Sequence, residues 1–339
     1  MLLIARNNRF ARKSRSALVA LVAGTLCMAT AACGSDSSEP ESSGELGTLT
    51  VVSAVTQGSP FVAVMEGNEF GVWDDVEGLT VETVEGDHDG AAAAMAAGKA
   101  DISLVSGDDA IRQASVGNGV ITGCIMGPWA QYLLASKQSG VTDPSDLRGK
   151  TFGVSNFGVA GDYATRTLAA ALGFDDDDYK VTALGDVKGL SAALESGSID
   201  AFVWSAATAY SLAHQGIGTM LGSVAEYVGE TCFEAFLVRK EVIEERPEAL
   251  KAFFTAYYDA IPGLRQDPDS VTRVFVDKWG IPADVAPDVT KDTLRDLSDD
   301  GEISPEALQK ISEAAQFTDD SLTEDKIDLD AFYTYWKDL

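Results

Sequence analysis

Histidine is nearly missing from the chain, with two in 339 residues, His88 and His214. His88 lies in the polar turn Gly86-Asp87-His88-Asp89-Gly90. His214 closes a helical pattern just before Gly216, where an imidazolium suits the helix dipole. No His-Glu-x-x-His and no Gly-x-Ser-x-Gly elbow occurs, so the familiar zinc and serine hydrolase routes lack their parts, and no catalytic residue, metal or cofactor is expected. Basic side chains are also scarce, at 25 Lys and Arg against 53 Asp and Glu. So acidic a surface repels nucleic-acid phosphates and anionic lipid heads, and neither is expected as a partner. Long apolar runs are lacking too: Ala17–Met28 is short and rich in alanine and glycine, a poor membrane span.

That run nevertheless has a purpose. Arg6, Arg9, Arg12, Lys13 and Arg15 precede it and Thr30-Ala31-Ala32-Cys33 follows it, the order of an export signal with a small-residue cleavage site. Cys33, followed by Gly34 and a Ser/Glu/Pro-rich segment, resembles the bacterial lipoprotein signal. The resemblance implies that Cys33 becomes the lipid-modified first residue and attaches the chain to the outer face of the cell membrane. Thr30 stands where that signal commonly has leucine, so plain secretory cleavage is the alternative; either way the mature chain works outside the cytoplasm. Residues 1–33 are read as the signal peptide and 34–47 as a flexible tether, polar and without periodicity. The mature chain keeps 20 basic side chains against all 53 acidic ones, a formal charge of −33. It also keeps Cys124 and Cys232, which in an oxidising compartment form either one disulfide or two separately buried small side chains.

From Thr48 the pattern alternates: strand Leu49–Ser53, helix Phe61–Phe70, strand Leu79–Val84, helix Gly90–Ala97, strand Asp101–Val105, helix Asp108–Val116. It then recurs as strand Thr151–Ser155, helix Asp162–Leu172, strand Lys180–Leu184, helix Val187–Glu195, strand Ile199–Trp204 and helix Ala206–His214. The register is clearest where Ala97-Gly98-Lys99-Ala100-Asp101 matches Ser196-Gly197-Ser198-Ile199-Asp200: glycine ends a helix and aspartate opens the next strand. Two such units predict an α/β protein with two facing lobes, each a mostly parallel sheet flanked by helices. Runs Val120–Met126, Gln131–Ser136 and Cys232–Val238 read as strands joining or crossing the lobes. The helical tail from Arg246 is expected to pack back on the first lobe. Lobe 1 is then 48–130 with 229–339, and lobe 2 is 131–228.

Three segments in this order, Asp146-Leu147-Arg148-Gly149-Lys150-Thr151-Phe152-Gly153-Val154, Ala193-Leu194-Glu195-Ser196-Gly197-Ser198-Ile199-Asp200-Ala201-Phe202 and Glu245-Arg246-Pro247-Glu248-Ala249-Leu250-Lys251-Ala252-Phe253, resemble the type II periplasmic substrate-binding proteins of ABC importers. The likeness is strongest to the branch that takes nitrate, sulfonates, taurine and thiamine-pyrimidine precursors. It implies the periplasmic-binding-protein type II fold with a two-strand hinge. It also implies a monomer that closes on a small molecule and hands it to a membrane permease, without catalysis.

Ligands of parallel sheets bind at the carboxyl ends of the strands, which selects the candidate residues. From the first lobe these are Ser53, Thr56, Gln57, Gly58, Ser59 and Asp108; from the second, Ser155, Asn156, Phe157, Gly158, Val159 and Trp204; from the hinge side, Trp129 and Glu230. Asp108 also suits a helix start, close to a capping-box spacing from Ser106 to Asp109. Asp162 and Arg166 are expected to pair on a solvated helix face, with Ala164, Leu168, Ala171 and Leu172 against the sheet. The acidic run Asp175-Asp176-Asp177-Asp178 reads as a solvated connector, and Asp296–Ile303 imitates an EF-hand opening but has Ala307 where the bidentate glutamate is required. The expected cleft loops hold no Lys or Arg, which favours a neutral or cationic, planar ligand of the pyrimidine type. A sulfonate, taurine or nitrate receptor and an exported carboxylate-dependent enzyme are the alternatives.

Overall fold

The computed structural model describes residues 46–339, so the signal segment, Cys33 and nearly all of the tether lie outside the described residues. The chain runs β1 (Gly47–Ser53), α1 (Val62–Met65), β2 (Leu79–Glu85), α2 (His88–Ala96), β3 (Ile102–Ser106), α3 (Gly107–Ser115) and β4 (Val120–Met126). It continues through β5 (Gln131–Ser136), β6 (Thr151–Val154), α4 (Ala160–Ala171), β7 (Lys180–Ala183), α5 (Val187–Ser196), β8 (Ala201–Ser205), α6 (Ala206–His214), β9 (Gly218–Ser223) and α7 (Ala225–Val228). Strand β10 (Glu234–Val238) follows, then α8 (Lys240–Glu245), α9 (Pro247–Gln266), α10 (Pro268–Asp277), α11 (Ala286–Asp296), α12 (Pro305–Thr318) and α13 (Leu329–Phe332). Among the described residues no helix is long and apolar enough to cross a membrane.

Two five-stranded sheets result, ordered β2-β1-β3-β10-β4 and β7-β6-β8-β5-β9. In each, three strands of the α/β repeat are parallel and a strand from beyond the repeat pairs antiparallel at the third. The architecture is therefore the expected two-lobed α/β fold. The repeated aspartates fasten equivalent corners of it: Asp101 Oδ2 accepts from the Thr50 amide at 2.9 Å, and Asp200 Oδ2 from the Thr151 amide at 2.8 Å. Each follows a glycine at φ 65° or 71°, a left-handed backbone that a side chain would strain.

Strand β4 is buried along its whole length, which is why its sequence, broken only by Thr122, is a near-continuous apolar run rather than an alternation. Beneath the first sheet α9 supplies Phe253, Phe254, Tyr257 and Tyr258, whose rings meet Phe236 of β10 edge to face. Arg246, just before that helix, donates to the carbonyls of Thr48 at 2.7 Å and Leu46 at 2.8 Å and so holds the start of β1.

Three expectations need correction. The helix expected over Phe61–Phe70 is only a 3-10 turn at Ser59–Phe61 and the single turn α1; Gly67 lies against the Trp73 indole and Gly71 takes φ 68°, and the chain leaves the helix to make both placements. Asp162 is buried, not solvated: it accepts from the Gly158 amide at 3.0 Å and from Arg166 Nε at 2.9 Å, while Ala171 is exposed and Thr165 and Ala169 take the buried face with Ala164 and Leu168. The helical tail does not stop at the first lobe. Ile311 and Ala315 of α12 join the core of the first sheet, and Ala314 joins that of the second.

Cys124 on β4 and Cys232, two residues before β10, are disulfide-bonded, with Cα atoms 5.7 Å apart and 108 residues of separation. Both are buried. Closing so long a loop restricts the unfolded chain by about 4–5 kcal/mol in the entropy model. The Cys124→Ala, Cys232→Ala double variant is therefore expected to lose up to about that much stability in a urea titration.

Candidate functional site

The chain crosses between the sheets twice, at 127–130 and 229–233, and the crossings are hydrogen-bonded to each other from the Phe233 amide to the Gly127 carbonyl at 3.2 Å. Directly against them lies a cavity of about 320 Å³. The first lobe contributes the loop Val55–Pro60 after β1, Met126 at the end of β4 and Glu234 at the start of β10. The second contributes Ala130, Gln131 and Tyr132 at the start of β5, and Ser205, Ala206 and Ala207 where β8 becomes α6. Helix α11 supplies the remaining wall with Asp292, Thr293 and Asp296. A larger hollow of about 1050 Å³ lies between α9 and the segment Glu69–Glu77; its lining includes no carboxyl end of a strand and no residue of either crossing. The smaller, interlobe cavity is the better candidate site.

One loop in its wall is strained. Gln57 has φ 53°, the only positive φ at a non-glycine among the described residues, and its side chain is exposed. Such conformations cost roughly 1–3 kcal/mol and cluster at ligand-contacting positions.

The electrostatics of the wall rest on Asp292. Its Oδ2 accepts from Tyr132 Oη and from Tyr210 Oη, each at 2.6 Å, and its Oδ1 from Arg295 at 2.5 Å; Arg295 also reaches Asp296 Oδ2 at 2.6 Å. Burial, and then donation to Asp292, push both tyrosine hydroxyls well above their usual range. The one guanidinium is thus shared by two carboxylates. Glu234 is different: it is 9% exposed, and no hydrogen bond among the described residues reaches its carboxyl. Burial, with Asp108 and Asp109 nearby, holds that carboxyl well above the normal glutamate range.

Of the residues expected from sequence, Thr56, Gln57, Gly58 and Ser59 come together in the cavity wall. The others lie elsewhere. Ser53 is buried and donates to the Val55 carbonyl at 2.6 Å, shaping the loop from behind. Trp129 is core, its ring 5.3 Å from Tyr163 and 5.1 Å from Phe233, and its indole N–H donates to Gln131. Asp108 is buried and accepts from Thr318 of α12 at 3.4 Å. Ser155, Asn156, Phe157, Gly158 and Val159 form a loop outside the cavity lining, with Phe157 58% exposed; Trp204 packs on Phe202, and Glu230 is exposed. Asp296, read as the first residue of an incomplete calcium loop, instead pairs with Arg295.

Sequence reasoning missed Glu234, Tyr132, Tyr210 and Asp292. A signal existed for the first: Phe233-Glu234-Ala235-Phe236-Leu237-Val238 is a buried-strand pattern interrupted by an acid, and a buried acid requires a reason.

Asp109, beside Asp108, anchors a separate cluster. It accepts from Arg112 at 2.7 Å and Gln113 at 2.9 Å, and meets His88 Nδ1 at 3.5 Å. Burial alone would raise the Asp109 carboxyl, but the His88, Arg112 and Gln113 contacts outweigh it and hold it low. The hydrogen bond to Asp109, against some burial, raises His88.

The family described as NMT1/THI5 like matches residues 73–271, more than half of the chain, and the protein belongs to that family. No curated protein matches it. Among solved structures it resembles the periplasmic sulfonate-binding protein SsuA of Methylobacillus flagellatus, described as putative, at 19% identity and a TM-score of 0.62, over 86% of this chain and 92% of that one. It also resembles the periplasmic aliphatic sulphonate binding protein SsuA of Escherichia coli, at 17% identity and 0.61, over 84% and 91%. The periplasmic nitrate-binding protein NrtA of Synechocystis matches at 16% and 0.56, over 73% and 70%. These likenesses define the fold as that of the periplasmic binding proteins.

Two outcomes are expected. Tyr132→Phe and Tyr210→Phe each remove a hydrogen bond to a carboxylate, and each should lower unfolding stability by about 1.5–3 kcal/mol, read as a lower urea midpoint at unchanged slope. For His88 the folded pKa is raised, so its contribution is complete below the unfolded value of 6.5 and is lost as pH rises through the folded one. The variant His88→Gln should therefore be less stable than the parent at about pH 5.5 and equal to it at about pH 9, measured by thermal unfolding.

Proposed function

We propose that this protein is an exported solute receptor of an ABC importer, which captures a small organic molecule between its lobes and delivers it to a membrane permease. The observation that carries the reading is the cavity itself. It is bounded by both lobes, by both crossings and by the carboxyl ends of β1 and β8, so a molecule inside it touches every part that moves when the lobes part. Membership of the NMT1/THI5-like family and the fold shared with sulfonate- and nitrate-binding receptors support it.

The reading extends to the segments before the fold. The receptor acts outside the cytoplasm as a monomer, held to the membrane by lipid on Cys33, with the tether read at 34–47 as the leash, its last residue, Gly47, already opening β1. Its division runs at the two crossings, with 131–228 as the second lobe and the rest of the folded chain as the first.

For the ligand, a neutral or cationic planar molecule fits better than the anions taken by the named structural relatives. No Lys, Arg or His lines the cavity among the described residues, and the nearest guanidinium, Arg295, is already held by two carboxylates. A desolvated anion needs cations or several aimed donors. Asp292 itself is fixed by three donors and has no freedom to shuttle a proton.

Gentle denaturation of protein purified from its native host, followed by mass spectrometry, should release one small organic molecule per chain. The apoprotein should rebind that molecule one to one and return it unchanged. A chemically altered product would replace the receptor with an enzyme.

A further inference from the structure

We propose that Glu234 is the charge-selecting residue of the interlobe cavity, and that the solute it admits carries a protonated nitrogen: an amine, an amidinium or an N-protonated heteroaromatic ring. The inference rests on the receptor reading above and specifies its ligand.

Glu234 opens β10 opposite Met126 of β4 and Ser106 of β3. It lies on the same face of the strand as Phe236 and Val238, the residues that enter the first lobe's core, but at the strand end, where that face meets the cavity. An apolar residue would continue the pattern and pack there. Instead there is a carboxylate, nine-tenths buried, with no donor among the described residues. Every other buried acid nearby is provided for: Asp109 by Arg112, Gln113 and His88; Asp108 by Thr318; Asp292 and Asp296 by Arg295 and the two tyrosines. An isolated buried carboxylate is unfavourable, and with no donor among the described residues to stabilise its charge, burial favours the neutral acid. A cation in the cavity would favour the ionised form and pair with it.

The rest of the wall points to the same class. One guanidinium serves two carboxylates on α11, so that side is net negative as well. Tyr132 and Phe233 bring aromatic rings to the lining, suited to a flat cation. The volume of about 320 Å³ fits a small organic molecule and not a macromolecule.

Three probes sharing one phenyl ring separate the possibilities: benzamidinium, benzamide and benzenesulfonate, titrated calorimetrically into the unliganded full-length protein and into Glu234→Gln. Benzamidinium is expected to bind the parent at least about 10-fold more tightly than benzamide, with no heat from benzenesulfonate. In Glu234→Gln that preference should vanish, while benzamide binding stays as it was. The variant's own thermal midpoint at pH 7 should equal or exceed the parent's, because the amide leaves no acid to be neutralised on burial. Benzamidinium binding that is the same in both proteins, or a preference for benzenesulfonate, overturns the role of Glu234 and leaves the receptor standing. Silence towards all three probes, together with no solute released from the purified protein, counts against the receptor itself and takes the proposal with it.

Discussion

Everything that this molecule can do as a two-lobed body depends on how few covalent routes join its halves. The backbone crosses twice, and the two crossings are joined by one hydrogen bond and bordered by one disulfide. A hinge so narrow imposes little on the angle between the lobes. What fixes the angle is the noncovalent seam made by α11 and α12. On one flank, Asp292 collects hydroxyls from Tyr132 and Tyr210 of the second lobe; on the other, Phe317 packs 5.5 Å from Tyr163.

The seam also explains the charge distribution. A chain with so large an excess of acid would be expected to avoid burying more of it, yet Glu234, Asp292 and Asp296 all line one small cavity. Two of them are built into the seam through Arg295, and the third is left over. Structure and selectivity therefore use the same residue type in adjoining positions. Pairing separates the two uses: a carboxylate with donors braces the fold, and one without them awaits a guest.

The two-lobed fold was legible in the sequence because its signals are periodic and doubled. The repeat of glycine, three-residue step and aspartate marks a real equivalence, since Asp101 and Asp200 fasten corresponding strands. The loop Thr56–Ser59 was legible as well, from its glycine and its place after a strand. What could not be read were the partners that come from far away in the chain. Nothing in the spacing of Asp292 says that it meets Tyr132, 160 residues earlier, and nothing around Trp129 distinguishes a cleft aromatic from the core aromatic that it is. Strand β9 was missed for a related reason: Gly218-Thr219-Met220-Leu221-Gly222-Ser223 is glycine-flanked and half-buried, a strand by virtue of its pairing with β5 and not by its own pattern.

The strand order has a consequence for assembly. All of the second sheet comes from the continuous stretch 131–223, whereas the first sheet places β10 between β3 and β4. Strand β4, buried throughout, has no ladder of its own until β10 arrives from beyond the second lobe. During folding the second lobe can close from local segments, while the first must wait with a hydrophobic edge unpaired. Pairing Cys124 with Cys232 requires that very insertion, so its oxidation is a covalent record that the late lobe has been completed.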